Sequence, residues 1–108
     1  MTYERTLAIS KDHPALSGHF PGHPVVPGVV VLDEVIETLG EQYGQSLVVA
    51  GLPSVKLSSP LLPEELLTIT IEPEDSETAA FTCRVGNRLV ASGLIRFRLP
   101  DGGRAGRP

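Results

Sequence analysis

The sequence predicts an α+β domain in which one apolar helix is enclosed by a single curved antiparallel sheet. Two observations carry the prediction. Residues 28–43 repeat apolar side chains at helical spacing, and from Ser46 onward the chain changes to an alternation of period two. A third explains why the two belong together: Val29, Val30 and Val31 open a helix whose β-branched residues have poor intrinsic propensity, so burial must supply its stability. A curved sheet wrapped around the helix provides that burial.

Taken in order, Tyr3–Ser10 alternates loosely, with Leu7 and Ile9 on one parity, and reads as a first strand. Lys11–Pro27 is a loop. Within it, His13-Pro14 opens a single helical turn through Ala15 and Leu16 that Ser17-Gly18 breaks, leaving His13 at the surface. Pro21, Pro24 and Pro27 then fix φ and lack a backbone donor, which makes the rest of the loop a rigid extended arm. The helix follows over Gly28–Tyr43. Its apolar stripe is Val29–Leu32, Val35, Ile36, Leu39 and Tyr43, with Glu34, Glu37, Thr38 and Glu41 on an ordinary solvated face; Gly40 and Gly44 mark a fraying end. Ser46–Ser58 is a long strand, bent or bulged at Gly51-Leu52-Pro53, with Val55 and Leu57 sharing a face. Pro60–Glu65 is a connection, Leu66–Glu72 a strand and Pro73–Ser76 a turn. Thr78–Val85 and Leu89–Leu99 form a hairpin around Gly86-Asn87, a dipeptide suited to a tight turn with positive φ. The four strands after the helix are expected in meander order. Residues 1–99 make one domain, and 100–108, PDGGRAGRP, a disordered tail.

A chain of 108 residues supports a single core but buries a modest share of its surface alone, so oligomerisation would help, and pairing two sheets side by side is a natural way to shield an open edge. With 41% hydrophobic and 20% charged residues the profile is globular. One cysteine, Cys83, leaves no intramolecular disulfide and no cysteine-rich metal site; its neighbours make it a strand thiol. No signal-peptide core and no run of membrane-spanning length is present, so the default compartment is the cytoplasm. A net charge of -4 argues against nonspecific nucleic-acid binding. The basic residues Arg84, Arg88, Arg96 and Arg98 nevertheless gather in the C-terminal quarter, either as a cationic patch for an acidic partner or as scattered solvated charge.

Two side chains and one backbone position suggest chemistry. Asp33 lies beside Val29 and Ile36 on the rim of the apolar stripe, where a carboxylate either reaches solvent or has a partner or task. His19 sits on the proline arm fourteen positions earlier, and an imidazole near its ordinary pKa exchanges a proton at neutral pH. The helix start at Gly28 and Val29 offers unpaired N–H groups. A base, an acid and the positive end of a helix dipole are what proton abstraction beside a carbonyl requires, because the enolate oxygen must be stabilised as it forms. His23 reads as a solvent-facing loop residue.

The stretch HFPGHPVVPGVVVLDEV resembles the signature of the hot-dog-fold 3-hydroxyacyl-[acyl-carrier-protein] dehydratases of the FabZ and FabA types: a catalytic His-Phe-x-Gly, a Pro-x-x-Pro-Gly turn and a catalytic Glu or Asp on the central helix. VKLSSPLLPEELLTI resembles that family's later strand, proline connection and next strand, so that the likeness runs from Ser17 to Leu99. The resemblance implies a hot-dog fold and elimination of water from a 3-hydroxyacyl thioester to the trans-2-enoyl product. His19 would take the C2 proton, Asp33 would assist departure of the C3 hydroxyl, and the Gly28 N–H would bind the thioester carbonyl. It implies no metal or redox cofactor, a substrate carried on the phosphopantetheine of an acyl carrier protein, and a homodimer, or an oligomer of dimers, whose active site spans two subunits. FabZ-type enzymes carry Glu where this chain has Asp33, FabA-type enzymes carry Asp but are longer, and small relatives serve aryl polyene or pigment pathways. A hot-dog thioesterase and a noncatalytic acyl-binding subunit are the competing readings; the HFPG histidine disfavours the first, and retention of both His19 and Asp33 the second.

Overall fold

The computed structural model describes residues 2–16 and 25–100. The elements are β1 (Tyr3–Leu7), a single 3-10 turn (Pro14–Leu16), α1 (Gly28–Tyr43), β2 (Val48–Leu57), β3 (Leu67–Pro73), β4 (Thr78–Val85) and β5 (Arg88–Arg98). All five strands join one antiparallel sheet, and α1 lies across its inner face, closest to β1 and β3. Helix, turn and hairpin lie where the sequence periods put them. The His13 imidazole is half-buried rather than on the surface, because its Nδ1 accepts the Ala15 N–H at 3.0 Å and so caps the short turn.

The strand order corrects the expected meander. It runs β1-β3-β4-β5-β2, so β2 does not neighbour β3. β1 takes the free edge of β3, in register from Tyr3↔Ile71 to Leu7↔Leu67, and β2 must pair at the far side with β5. The segment between β2 and β3 permits this because it is far longer than a hairpin turn. It bonds first to β5, where the Ser58 N–H donates to the Val90 carbonyl at 2.8 Å, and then to the other end of the domain, where the Glu64 N–H donates to the Ile9 carbonyl at 2.8 Å. Arg88 fixes its middle: Nη2 donates to Glu65 Oε1 at 2.7 Å, and the same oxygen accepts the Leu62 N–H at 2.9 Å. These donors, the guanidinium foremost, hold the Glu65 carboxyl below its ordinary value of 4.5.

The core is the inner face of β3, β4 and β5 against one side of α1. Ile69, Ile71, Phe81, Cys83, Ile95 and Phe97 meet Val31, Val35 and Leu39, all nearly or fully buried. Tyr43 and Phe97 stack at a tilt with ring centroids 5.4 Å apart, which anchors the end of the helix to β5. The helix does not fray there. Gly44 closes it at φ 69, with Gly44 N–H donating to the Glu41 carbonyl and Gln45 N–H to that of Gly40.

The expected solvated face of the helix also needs correction. Thr38 is fully buried, donating to the Glu34 carbonyl at 2.7 Å and accepting from Arg5 Nη1 at 3.3 Å. Arg5, from β1, also reaches Glu34 Oε1 at 3.2 Å and Glu41 Oε2 at 3.5 Å. Residues 34, 38 and 41 form one stripe at helical spacing, and a strand bearing a single guanidinium lies along it. Val29, assigned by its spacing to the buried stripe, is instead 64% exposed.

Between Val49 and Ser54 the register of β2 against β5 slips at Gly51 and again before Ser54, which is the bulge that Gly51-Leu52-Pro53 predicts. The bulged strand presses close to β5 at Gly93. A Cβ there would fall on the Ser54 carbonyl oxygen and 3.0 Å from two atoms of the Phe81 ring.

Gly93→Ala therefore lowers the unfolding free energy by about 1–3 kcal/mol, read by urea titration, because neither backbone nor ring can move away freely. The Glu65 contact has a pH signature. Its lowered pKa makes its contribution present at neutral pH and lost as pH falls through the folded value, so Glu65→Gln lowers Tm at pH 7 while the difference between the two proteins shrinks as pH falls through that folded value, which lies below 4.5.

Candidate functional site

The helix start is built by two residues. Pro27, the N-cap, holds φ −59 and ψ 144, extended geometry that proline favours, and its carbonyl accepts the Val30 N–H at 3.0 Å. Pro27 has no side-chain acceptor to turn back on the first turn, so the N–H groups at the helix start keep their polarity available. The arm before Pro27 is held by Val26, buried, whose N–H donates to the Leu61 carbonyl at 2.8 Å.

Beside this helix start is an apolar cavity of about 310 Å³. Four pieces of chain wall it: Val25 and Val26 from the arm, Gly28 and Val31 from α1, Leu57–Leu61 from the end of β2 onward, and Val90 from β5. The Leu57–Pro60 wall is braced on β5 by Ser58 N–H and by Ser59 Oγ, which donates to the Leu89 carbonyl at 2.7 Å. An open apolar hollow beside a helix terminus that has no side-chain cap from Pro27 suits a ligand with an apolar chain and a single polar oxygen near its end. A second cavity, of about 420 Å³ at the far end of α1, is edged by Glu37, Glu41 and Gln45 and has no comparable donor.

Of the three positions singled out from the sequence, His19 lies outside the described residues, as does His23. Gly28 is in the cavity wall at the first residue of the helix. Asp33 is exposed, and it lies about 140° around the helix from Gly28 and about 7.5 Å along the axis. One chain thus does not bring Asp33 to the cavity that Gly28 lines. It stands on the uncovered face of α1, near exposed Val29.

Leu57 is the part of the site that sequence reasoning did not single out. Its terminal carbons pack on the helix start: a Cβ built on Gly28 would fall 2.8 Å from Leu57 Cδ1. The alternation of Val55 and Leu57 placed the two on one face, but contact with Gly28 across 29 positions of chain has no local signal. Cys83 is excluded as a nucleophile at neutral pH, since burial pushes its thiol up to about 12. Among the described cations, Arg88 is held by Glu65, whereas Arg84, Arg96 and Arg98 are exposed.

Comparison with known proteins bears on the fold and the family. The protein-family model for ApeI-like proteins, described as ApeI dehydratase, matches residues 1–94. The 3-hydroxyacyl-[acyl-carrier-protein] dehydratase FabZ of Streptococcus pyogenes serotype M1 is 29% identical over 116 aligned positions, covering 87% of this chain and 84% of that protein. Among solved structures, the dehydratase heterocomplex ApeI:P from Xenorhabdus doucetiae superposes with a TM-score of 0.78 at 23% identity, covering 89% of this chain and 86% of that one. A probable thioesterase from Bartonella henselae gives a TM-score of 0.69 at 17% identity, covering 99% and 98%. At such identities the structural likenesses establish the fold, and the match over residues 1–94 establishes the family. Among the described residues one α-helix lies across a five-stranded antiparallel sheet, the arrangement of the hot-dog fold, and the chain belongs to the ApeI-like dehydratases.

Proposed function

We propose that this protein removes water from a 3-hydroxyacyl thioester to give the trans-2-enoyl thioester. The observation that carries the reading is the apolar cavity with the N-terminus of α1 in its wall, in a chain of a dehydratase family. A thioester carbonyl seated on the Gly28 N–H would meet the positive end of the helix dipole, and the negative charge that develops on that oxygen as the C2 proton leaves is stabilised there. His19 takes the C2 proton. The bond from C3 to its hydroxyl then breaks, and Asp33 assists departure of that oxygen as water, so substrate loses one hydrogen and one hydroxyl with no change of oxidation state and no need of a metal or redox cofactor.

The exposed position of Asp33 supports a site made by two chains. Its face of α1 carries Val29, 64% exposed, and the inner face of β2 carries Val55 and Leu57, 38% and 59% exposed. β2, ten residues long, is also the sheet edge, with no strand beyond it among the described residues. An uncovered apolar helix face and an unpaired long edge in the same small domain are the surfaces that a second copy covers, joining the two sheets edge to edge. In the resulting homodimer the carboxylate of one chain serves the cavity of the other. The acyl group is delivered on the phosphopantetheine of an acyl carrier protein in the cytoplasm, within fatty-acid or aryl polyene synthesis, and Arg84, Arg96 and Arg98 are available to its acidic surface.

The test is mass spectrometry of 3-hydroxyacyl-carrier-protein incubated with the protein. Loss of one water is expected, slowed about 10²–10⁴-fold by His19→Ala and by Asp33→Asn. Release of free acid instead would make the protein a thioesterase, and binding without change would make it an acyl-binding subunit. Light scattering should give twice the chain mass, and Val55→Arg, which places a charge on the uncovered β2 face, should give monomers that no longer eliminate water. Monomeric wild-type protein with full activity would overturn the two-chain site.

A further inference from the structure

We propose that Leu57 is the residue that sets which acyl groups this protein accepts, by walling the cavity at the point where the thioester carbonyl meets Gly28; the proposal rests on the dehydratase reading above. Three observations converge on this side chain. Its terminal carbons occupy the space that a side chain on Gly28 would fill, with Cδ1, Cδ2 and Cγ lying 2.8, 3.8 and 3.9 Å from the position of a Cβ there. It lines the cavity together with Val26, Val31, Leu61 and Val90. It is nevertheless 59% exposed, packed on the Gly28 side and open on the other, whereas Val26 and Leu61, deeper in the same wall, are 3% and 1% exposed.

A carbonyl held on the Gly28 N–H has only two atoms of acyl chain, C2 and C3, before the substituent on C3 begins. The wall against Gly28 is therefore the first apolar surface that this substituent meets. The cavity, at about 310 Å³, is at the small end of the range for ligand pockets, roughly 300–1,000 Å³, so the volume taken by one isobutyl group is a substantial share of it. The buried walls are fixed by the core behind them, since Val31 and Val90 are nearly fully buried. Leu57 lies outside that core, on the β2 face assigned above to the second chain, so its variants are compared as dimers, with the chain mass of each checked by light scattering. The ligand class follows: 3-hydroxyacyl thioesters graded by the bulk of the group on C3, with short or slender groups accepted by the native leucine.

The experiment compares wild type, Leu57→Ala and Leu57→Phe on 3-hydroxyacyl-pantetheine thioesters of increasing chain length, measuring kcat/KM at each length. In parallel it measures equilibrium binding of saturated acyl-pantetheines of the same lengths, which have no hydroxyl to lose. The alanine variant should shift the preferred length upward and the phenylalanine variant downward, each by about 10-fold or more in the ratio of long to short substrates. A reordering of lengths is the decisive sign, because a merely destabilising substitution scales all lengths alike. Three proteins with one and the same order of preference, in turnover and in binding, would overturn the role of Leu57. Absence of water loss from all three, with the binding order still shifting in opposite directions, would overturn the dehydratase reading and uphold Leu57 as the wall that selects the chain.

Discussion

A helix opened by three valines in succession depends on what covers it. α1 has little reason to persist as an isolated segment, since its β-branched side chains lose rotamer freedom against the preceding turn. It is held by the inner faces of β3, β4 and β5, by the Tyr43–Phe97 stack at its end, and by Arg5, whose guanidinium spans Glu34, Thr38 and Glu41. Burial of Val31, Val35 and Leu39 sets how deep the helix lies and which side it turns inward, and the guanidinium meets the polar stripe beside them. That rotation decides the rest: it turns Val31 and Gly28 to the cavity and Asp33 to the outside.

The same constraint explains why the site sits where it does. A five-stranded sheet curved around one helix leaves its last strand overhanging, and here the overhang is β2. Its inner side chains Val55 and Leu57 do not reach the body of the helix, but Leu57 reaches the helix start, where glycine leaves room for it. Proline at the N-cap and glycine at the first helical position thus serve one geometry. The first fixes the direction of entry, and the second permits close approach of an apolar wall to a polar terminus. An apolar side chain thus packs on one side of that terminus, whose N-cap proline offers no side-chain acceptor.

What was legible in the sequence was whatever depends on near neighbours along the chain. The helix over Gly28–Tyr43, the turn at Pro14–Leu16, the bulge at Gly51–Ser54 and the hairpin at Gly86-Asn87 each follow from local periodicity or from glycine and proline geometry. Thr38 and Glu34 were misassigned to water because their partner, Arg5, lies about thirty positions away and on a strand whose pairing no local pattern specifies. The meander failed for a related reason. Period two says that a segment is a strand but is silent on its neighbours, and β1, met first in the chain, claims the edge of β3 that β2 would otherwise take.

By itself the sequence determined the class of the domain and the extent of its helix, because these are properties of spacing and residue type, and it carried the stretch HFPGHPVVPGVVVLDEV, whose resemblance to a dehydratase signature the family match bears out. Only the tertiary structure decided that Asp33 faces away from the cavity of its own chain, that β2 stands at an open edge, and that Leu57 rests on Gly28. Each of those is set by the order of strands and the rotation of the helix against them. Both arise from contacts between residues remote in the chain, where hydrophobic burial rewards any apolar neighbour and only the assembled geometry selects one.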